Sequence, residues 1–494
     1  MMKTHVLIVF IICGLSDICP AYELVGTEVL SKKLTAQHYT INPNLDAVIV
    51  VDSTISTFEY HTYYCAGSAD EEEGKQGRLH FLEHIISGTG SQEYGQLRQI
   101  VNENGGQLNA FTSSHFTYFV MRFPKDKIDL AVEIDRDRYY DTVINEEVVK
   151  KEKRIVLTEI SRRRSDFQRK IVNRFWGLVY KKEDFSGVGT EDFIKQLEPV
   201  ALKAYHENFL RRQKRLVVVI GDVDIDHVLT KLDEAYGNEQ ISGEISSESP
   251  PPQFPDPEIL GKKIKDTSKN LRIAKYRKSW RTPHLGHRDY ATLLILARML
   301  NANSNSLRSS LIDSKLARVF IVSLYHSKGF GLLSCTADLP HDTSIDAIEN
   351  AIQTELEEIR VRGVSEDDFT AARNLQLKSM YSEFYDRLGM ANEFGRAFAH
   401  AKDPLLYPKL IKDLKSVRRD DIPRLIDQYL TDDNSITLSL TLPEKKWSIA
   451  TVIVGSILII FPAIIVLFGV IGGIRKLLSK LSQKTNEYVS ESDT

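Results

Sequence analysis

The feature that most constrains the fold of this chain is a proline-rich stretch, Ser246 to Glu258. It holds Pro250, Pro251, Pro252, Pro255 and Pro257 among polar residues. Proline fixes φ and lacks an N–H, so such a stretch favours extended backbone and cannot build a core. It predicts a linker over 246–258 that separates a half at 22–245 from a half at 259–444. In the first half Ala47–Val51, Tyr60–Cys65, Phe116–Phe123 and Arg215–Ile220 read as strands. Leu79–Ile86, Tyr94–Glu103, Lys125–Tyr140 and Asn145–Arg163 read as helices. In the second, Leu271–Trp280, Gly331–Ala337 and Ile436–Leu440 read as strands, with helices over Asp289–Leu300, Ser344–Arg360 and from Ser365 onward. The same order of strands and helices occurs twice. The predicted fold class is therefore α+β: two duplicated α+β sandwich domains, each an antiparallel-rich sheet with helices on one face.

The two ends predict a compartment. Lys3, the apolar run Val6–Leu15 and the small residues at Cys19-Pro20-Ala21 read as a signal peptide over 1–21. Trp447 to Ile474 is a charge-free run of 28 residues, long enough as a helix to span the roughly 30 Å of bilayer hydrocarbon. Arg475, Lys476, Lys480 and Lys484 follow it, so the positive-inside bias places a basic tail, 475–494, in the cytoplasm. The expectation is a single-pass membrane protein with an extracytoplasmic body. Removal of the signal would leave Cys65 and Cys335, expected as two free thiols. The balance of 64 basic against 67 acidic residues offers no electrostatic footprint for nucleic acid.

The chemistry concentrates in His80-Phe81-Leu82-Glu83-His84. Residues four apart share a helix face, so His80 and His84 can grip one metal ion, with Phe81 and Leu82 turned to the core. Glu83 lies about sixty degrees from His80, placed to act as a general base on water at that ion. Imidazole nitrogens suit zinc, and the order H-x-x-E-H is the inverted zinc motif. Five residues alone are a weak signal, because a chance match is expected in roughly one chain in forty. A third ligand decides the matter. Glu152 and Glu159, seven apart on an amphipathic helix, project on nearly one face, as a first ligand and a supporting carboxylate would. Asp70 to Glu73, just before the motif, reads as a solvated acidic loop.

With these residues in place, the chain resembles the pitrilysin and mitochondrial-processing-peptidase family of zinc metallopeptidases. The resemblance rests on His80-x-x-Glu83-His84 followed by Glu152 and Glu159. Supporting it are Leu108-Asn109-Ala110-Phe111-Thr112, Gly189-Thr190, Val217 to Val223, Trp280-Arg281-Thr282-Pro283 and Gly363-Val364-Ser365-Glu366. It implies that His80, His84 and Glu159 bind one zinc per chain, that Glu83 is the catalytic base and that Glu152 supports the site. Asn109 and Ala110 would pair with the substrate backbone. It further implies an endopeptidase acting on peptides or unfolded protein segments, its second half non-catalytic. Its chamber would be closed by a second chain, as a homodimer or a heterodimer with a paralogue. The alternative is a membrane-tethered, non-catalytic binding or assembly subunit, a reading that sits poorly with an intact motif.

Overall fold

The computed structural model describes residues 22–89, 95–182, 185–239, 257–268, 271–302, 306–340, 343–443, 470 and 473–480. The chain forms two units, 1–441 and 442–494, and the first contains both sheets. One sheet has seven strands, β1 (Glu23–Val29), β2 (Thr35–Asn42), β3 (Leu45–Val51), β4 (Thr57–Tyr64), β5 (Gln107–Thr112), β6 (Thr117–Pro124) and β7 (Arg215–Gly221). Their spatial order is β1-β2-β3-β7-β4-β6-β5. Every pairing is antiparallel except that of β3 with β7. The other sheet holds β8 (Lys263–Thr267), β9 (Ala274–Thr282), β10 (Val319–His326), β11 (Gly331–Leu339) and β12 (Ser435–Thr441) in the order β10-β11-β9-β12-β8. Only β12 and β8 run parallel there.

Burial explains these placements. β7, Arg-Leu-Val-Val-Val-Ile-Gly, is buried at every position, as an apolar run covered on both faces should be. β5 alternates exposed and half-buried residues, and among the described residues it pairs only with β6, which leaves its other edge open there. On one face of this sheet Tyr60, Phe119, Val217 and Val219 pack with Phe81, Leu82 and Ile85 of the helix Arg78–Thr89 and with Val156 and Ile160 of the helix Glu146–Ser165. On the other face Val48, Val50, Tyr63, Val218 and Ile220 pack against Met390, Phe394 and Phe398. These last residues belong to the helix Arg387–Ala401, contributed by the second half of the chain.

That packing corrects the expectation of helices on one face only. A strand as uniformly apolar as β7 needs cover on both sides, and the second half supplies it. Four strands were not anticipated, β1, β2, β8 and β10. β10 alternates buried and exposed residues along most of its length, and β1 and β8 are mostly exposed edge strands.

The transmembrane expectation is also corrected. Among the described residues no helix is long and apolar enough to cross a membrane. The described helix at 473–480 is short and carries Arg475, Lys476 and Lys480. Residues 447–469 and 471–472 of the expected span lie outside the described residues, as do the expected signal over 1–21 and most of the linker at 246–258. A single-pass membrane location is therefore not supported.

Candidate metal centre

The helix that carries the motif, Arg78–Thr89, follows Gly77, whose φ of +93° is the left-handed region. Two amides at its N-terminus are satisfied by one carboxylate. Glu71 accepts hydrogen bonds from the N–H groups of Gly77 (2.8 Å) and Leu79 (2.6 Å). Glu71 is 4% exposed, and burial pushes its carboxyl up to about 7 against the pull of those amides. The Asp70–Glu73 segment is thus only partly the solvated loop expected. Asp70 accepts from Gly67 N–H (2.8 Å) and pairs with Lys328 Nζ at 2.7 Å. The first two carboxylates of the segment are structural: Glu71 serves the start of the motif helix, and Asp70 holds Gly67 and Lys328.

The helix Glu146–Ser165 begins at Asn145, whose side chain accepts from Val148 N–H. It sends Glu159 toward both histidines. Glu159 Oε2 lies 3.7 Å from His80 Nε2 and 3.6 Å from His84 Nε2. These three side chains form the one potential metal-holding group of three or more His, Cys, Asp or Glu among the described residues, with donor atoms within 4.8 Å of one another. The separations are too long for hydrogen bonds. They suit donors sharing an ion, because tetrahedral bonds of about 2.1 Å place ligand atoms roughly 3.4 Å apart. Two imidazoles and one carboxylate fit zinc on geometry and on chemistry.

Glu152 stands behind this set. It is buried, and its Oε2 lies 3.2 Å from His84 Nδ1, so it fixes the ring with Nε2 facing Glu159. Burial, the largest influence on His84, lowers its pKa. The carboxylates of Glu152, Glu159 and Glu83 outweigh it and raise the imidazole to about 10. The field that favours a proton on His84 equally favours a divalent cation there. His84, ahead of opposing burial and with His80 and Arg163, holds Glu159 down to about 2. Burial and the neighbouring His84 lower His80 to about 3, so it presents a neutral nitrogen.

Glu83 points beside the histidines and accepts a hydrogen bond from Thr112 Oγ1 at 3.2 Å. Burial pushes its carboxyl up to about 7, a value suited to taking and returning a proton near neutrality. Thr112 ends β5, so the same strand that bonds Glu83 presents Asn109 and Ala110 along the open edge. Ala110 is half-buried against the core beneath the motif helix. Asn109 faces a cavity of about 360 Å³ on the opposite side, with Phe111, Tyr118 and Leu388. Two functional contacts were not foreseen. Arg163 Nη2 binds Glu159 Oε1 at 2.6 Å, a pair that the i,i+4 spacing could have signalled. The Thr112–Glu83 bond depends on where β5 lies, which spacing does not show. Cys65 and Cys335 are free thiols, both buried, as expected.

A pair of α+β halves with one centre of two histidines and one carboxylate defines a metallopeptidase-like protein of the pitrilysin type. The chain belongs to the M16 family. The profile for "Insulinase (Peptidase family M16)" matches residues 48–177, and that for "Peptidase M16 inactive domain" matches 197–376. An uncharacterized zinc protease of Bacillus subtilis is 20% identical over 81% of this chain and 97% of its own length. The mitochondrial-processing peptidase subunit beta of Homo sapiens is 24% identical over 77% of this chain and 79% of its own. Among solved structures, a protease from Helicobacter pylori superposes with a TM-score of 0.72 at 19% identity, covering 82% of this chain and 99% of that one. The periplasmic protease PqqL from Escherichia coli superposes with a TM-score of 0.69 at 16% identity, covering 87% of this chain and half of that one.

Proposed function

We propose that this protein is a zinc-dependent endopeptidase cutting peptides or unfolded protein segments, with one zinc held by His80, His84 and Glu159. The observation that carries the reading is the convergence of these three donors beside a buried Glu83 at the end of an open edge strand. Zinc, when bound, supplies Lewis-acid polarisation of the scissile carbonyl and makes water easier to deprotonate. Glu83 takes a proton from the attacking water and returns it to the leaving amine. Thr112 holds that carboxylate in place, and Glu152 holds the His84 ring. The β5 edge at Asn109 and Ala110 offers its free backbone groups to an extended substrate, as strand addition requires, and a folded domain has no such strand to lend. On this reading the half at 22–245 does the chemistry, and the half at 259–444 shapes the site without a metal of its own.

The same reading includes pairing with a second chain, a copy or a paralogue, to enclose the substrate. PqqL is matched over half its length, and the first half of PqqL, solved by itself, is matched over 93% of its own. A chain of twice this length thus has room for two such units.

The test is hydrolysis of an unstructured peptide with zinc measured in parallel. Glu83→Gln should abolish cleavage and keep about one zinc per chain, while His84→Ala should lose both. Zinc retained in folded His84→Ala overturns the ligand assignment.

A further inference from the structure

A second cavity, of about 680 Å³, is joined to the metal centre through Arg163. Its apolar wall is formed by Val172, Trp176, Phe185 and Val188, and its rim carries Arg163, Arg164, Arg169 and Lys170. Arg163 is the link between the two sites. It lines the cavity and also binds the carboxylate of Glu159 at 2.6 Å. The floor is rigidly built. Trp176 packs on Phe185 (ring centroids 6.2 Å) and on Tyr325 of the second half (4.3 Å). At Gly189 a Cβ would meet Gln76 O at 2.2 Å, which locks the loop lining the cavity against the start of the motif helix.

The charge here is local. From Lys150 to Lys182 there are twelve Lys and Arg against three Asp and Glu, in a chain whose net charge is −3. The acids that face the rim are Glu159 on Arg163, Glu191 on Arg164 (3.6 Å) and Asp166 on Arg169 (3.3 Å). The last two pairs lie at the surface, where such contacts are worth little and exchange readily for a better acceptor. Lys170 makes no ion pair among the described residues. Guanidinium forks bind carboxylates bidentately, and an apolar wall suits the methylene stem of a long acidic side chain.

We infer that this cavity is a specificity subsite for acidic side chains, selecting peptides with Asp or Glu near the scissile bond. The inference rests on the peptidase reading and adds its substrate class. Charge reversal at Arg164 and Arg169 leaves the Arg163–Glu159 pair and the metal ligands untouched.

The experiment compares three quenched fluorescent peptides of one sequence, differing by Glu, Gln or Lys at each position flanking the bond cut. The readout is the ratio of kcat/KM for the Glu over the Lys peptide, taken within each protein, together with zinc content and melting temperature. Wild type should favour Glu about tenfold or more at its best position, and the preference should shrink at high salt. Arg164→Glu with Arg169→Glu should erase or invert the ratio. The milder Arg164→Ala with Arg169→Ala should lower it, and serves if the reversal variant melts early. A wild-type ratio at or below one overturns the subsite, as does a ratio unchanged in folded variants. Tighter inhibition by a short single-stranded oligonucleotide than by the Glu peptide reassigns the cavity to nucleic acid. A zinc-loaded wild type that cuts none of the peptides sinks the peptidase reading instead, and the subsite with it.

Discussion

Glu152 and His84 meet at 3.2 Å, Oε2 to Nδ1, on the side of the imidazole turned away from Glu159. The contact sets which ring nitrogen is free to bind a metal and makes that nitrogen a better donor. Glu152→Ala should therefore keep all three ligands and lower zinc affinity by about 10- to 100-fold. Titration against a chelator of known affinity measures it. An unchanged affinity would show that packing alone orients His84.

Glu71 closes the N-terminus of the helix that carries both histidines, and two amides depend on it. In Glu71→Ala those buried donors lose their acceptor. At about 1.5–3 kcal/mol for a bond to a carboxylate, the loss should reach roughly 3 kcal/mol, read as a lower midpoint in denaturant. Zinc affinity should fall as well, because the frayed turn contains Leu79 and His80. A variant with wild-type stability would mean that water satisfies the amides and that the carboxylate is dispensable.

The behaviour of Glu71 and Glu152 shows what the sequence can and cannot reveal. The motif helix, Glu159 and the apolar strands β3 and β7 were legible because periodicity and spacing are local properties. Glu152 was legible as a carboxylate on the ligand face, since two helical turns return nearly to the same direction. Glu71 was not, because Asp70 to Glu73 reads as a charge run until Gly77 brings its amides onto one of the carboxylates. The helix Arg387–Ala401 was invisible as a cover for the first sheet. Its partners, Val48, Tyr63 and Val218, lie more than a hundred residues away along the chain, and no spacing rule reaches that far. Length and hydropathy predicted a spanning helix in the terminal apolar run, whereas no helix among the described residues is long and apolar enough to cross a membrane.

His400 is half-buried within a cluster of rings, 4.6 Å from His326 and 5.1 Å from His115 between centroids. Burial first, then His326, His115, Arg396 and Lys328, hold its pKa well below the ordinary 6.5. Above that value the residue is neutral folded and unfolded, and stability is unaffected. As pH falls below it the unfolded chain takes the proton and the fold does not, so stability is lost. At about 1.4 kcal/mol per pH unit, one such histidine costs roughly 2 kcal/mol between pH 6.5 and 5. His400→Gln should lose less stability than wild type by that amount when both are unfolded at pH about 7.5 and about 5. Equal losses would show that His400 is protonated in the fold.

Gly395 governs how closely the two halves approach. A Cβ built there would lie 2.2 Å from ring carbons of Tyr63. Tyr63 has nowhere to retreat. It is fully buried, stacks on Tyr118 at 5.0 Å between centroids, and its hydroxyl donates to Asn392 Oδ1 at 3.0 Å. The helix cannot easily lift away either, since Arg387 at its start binds Asp52 Oδ2 at 2.8 Å and the Asp52 carbonyl at 2.6 Å. Two effects oppose each other in Gly395→Ala. Helix propensity favours alanine by up to about 1 kcal/mol, whereas overpacking a rigid contact costs about 1–3 kcal/mol, and more where nothing can shift. The clash should win, leaving the variant about 2 kcal/mol less stable than wild type in denaturant unfolding. Trimming the ring should then reverse the sign. In a Tyr63→Leu background the same Gly395→Ala change should be neutral or stabilising, a coupling that a double-mutant cycle reads directly. Additive effects of the two substitutions would show that the helix and β4 are not in the close contact that joins the halves.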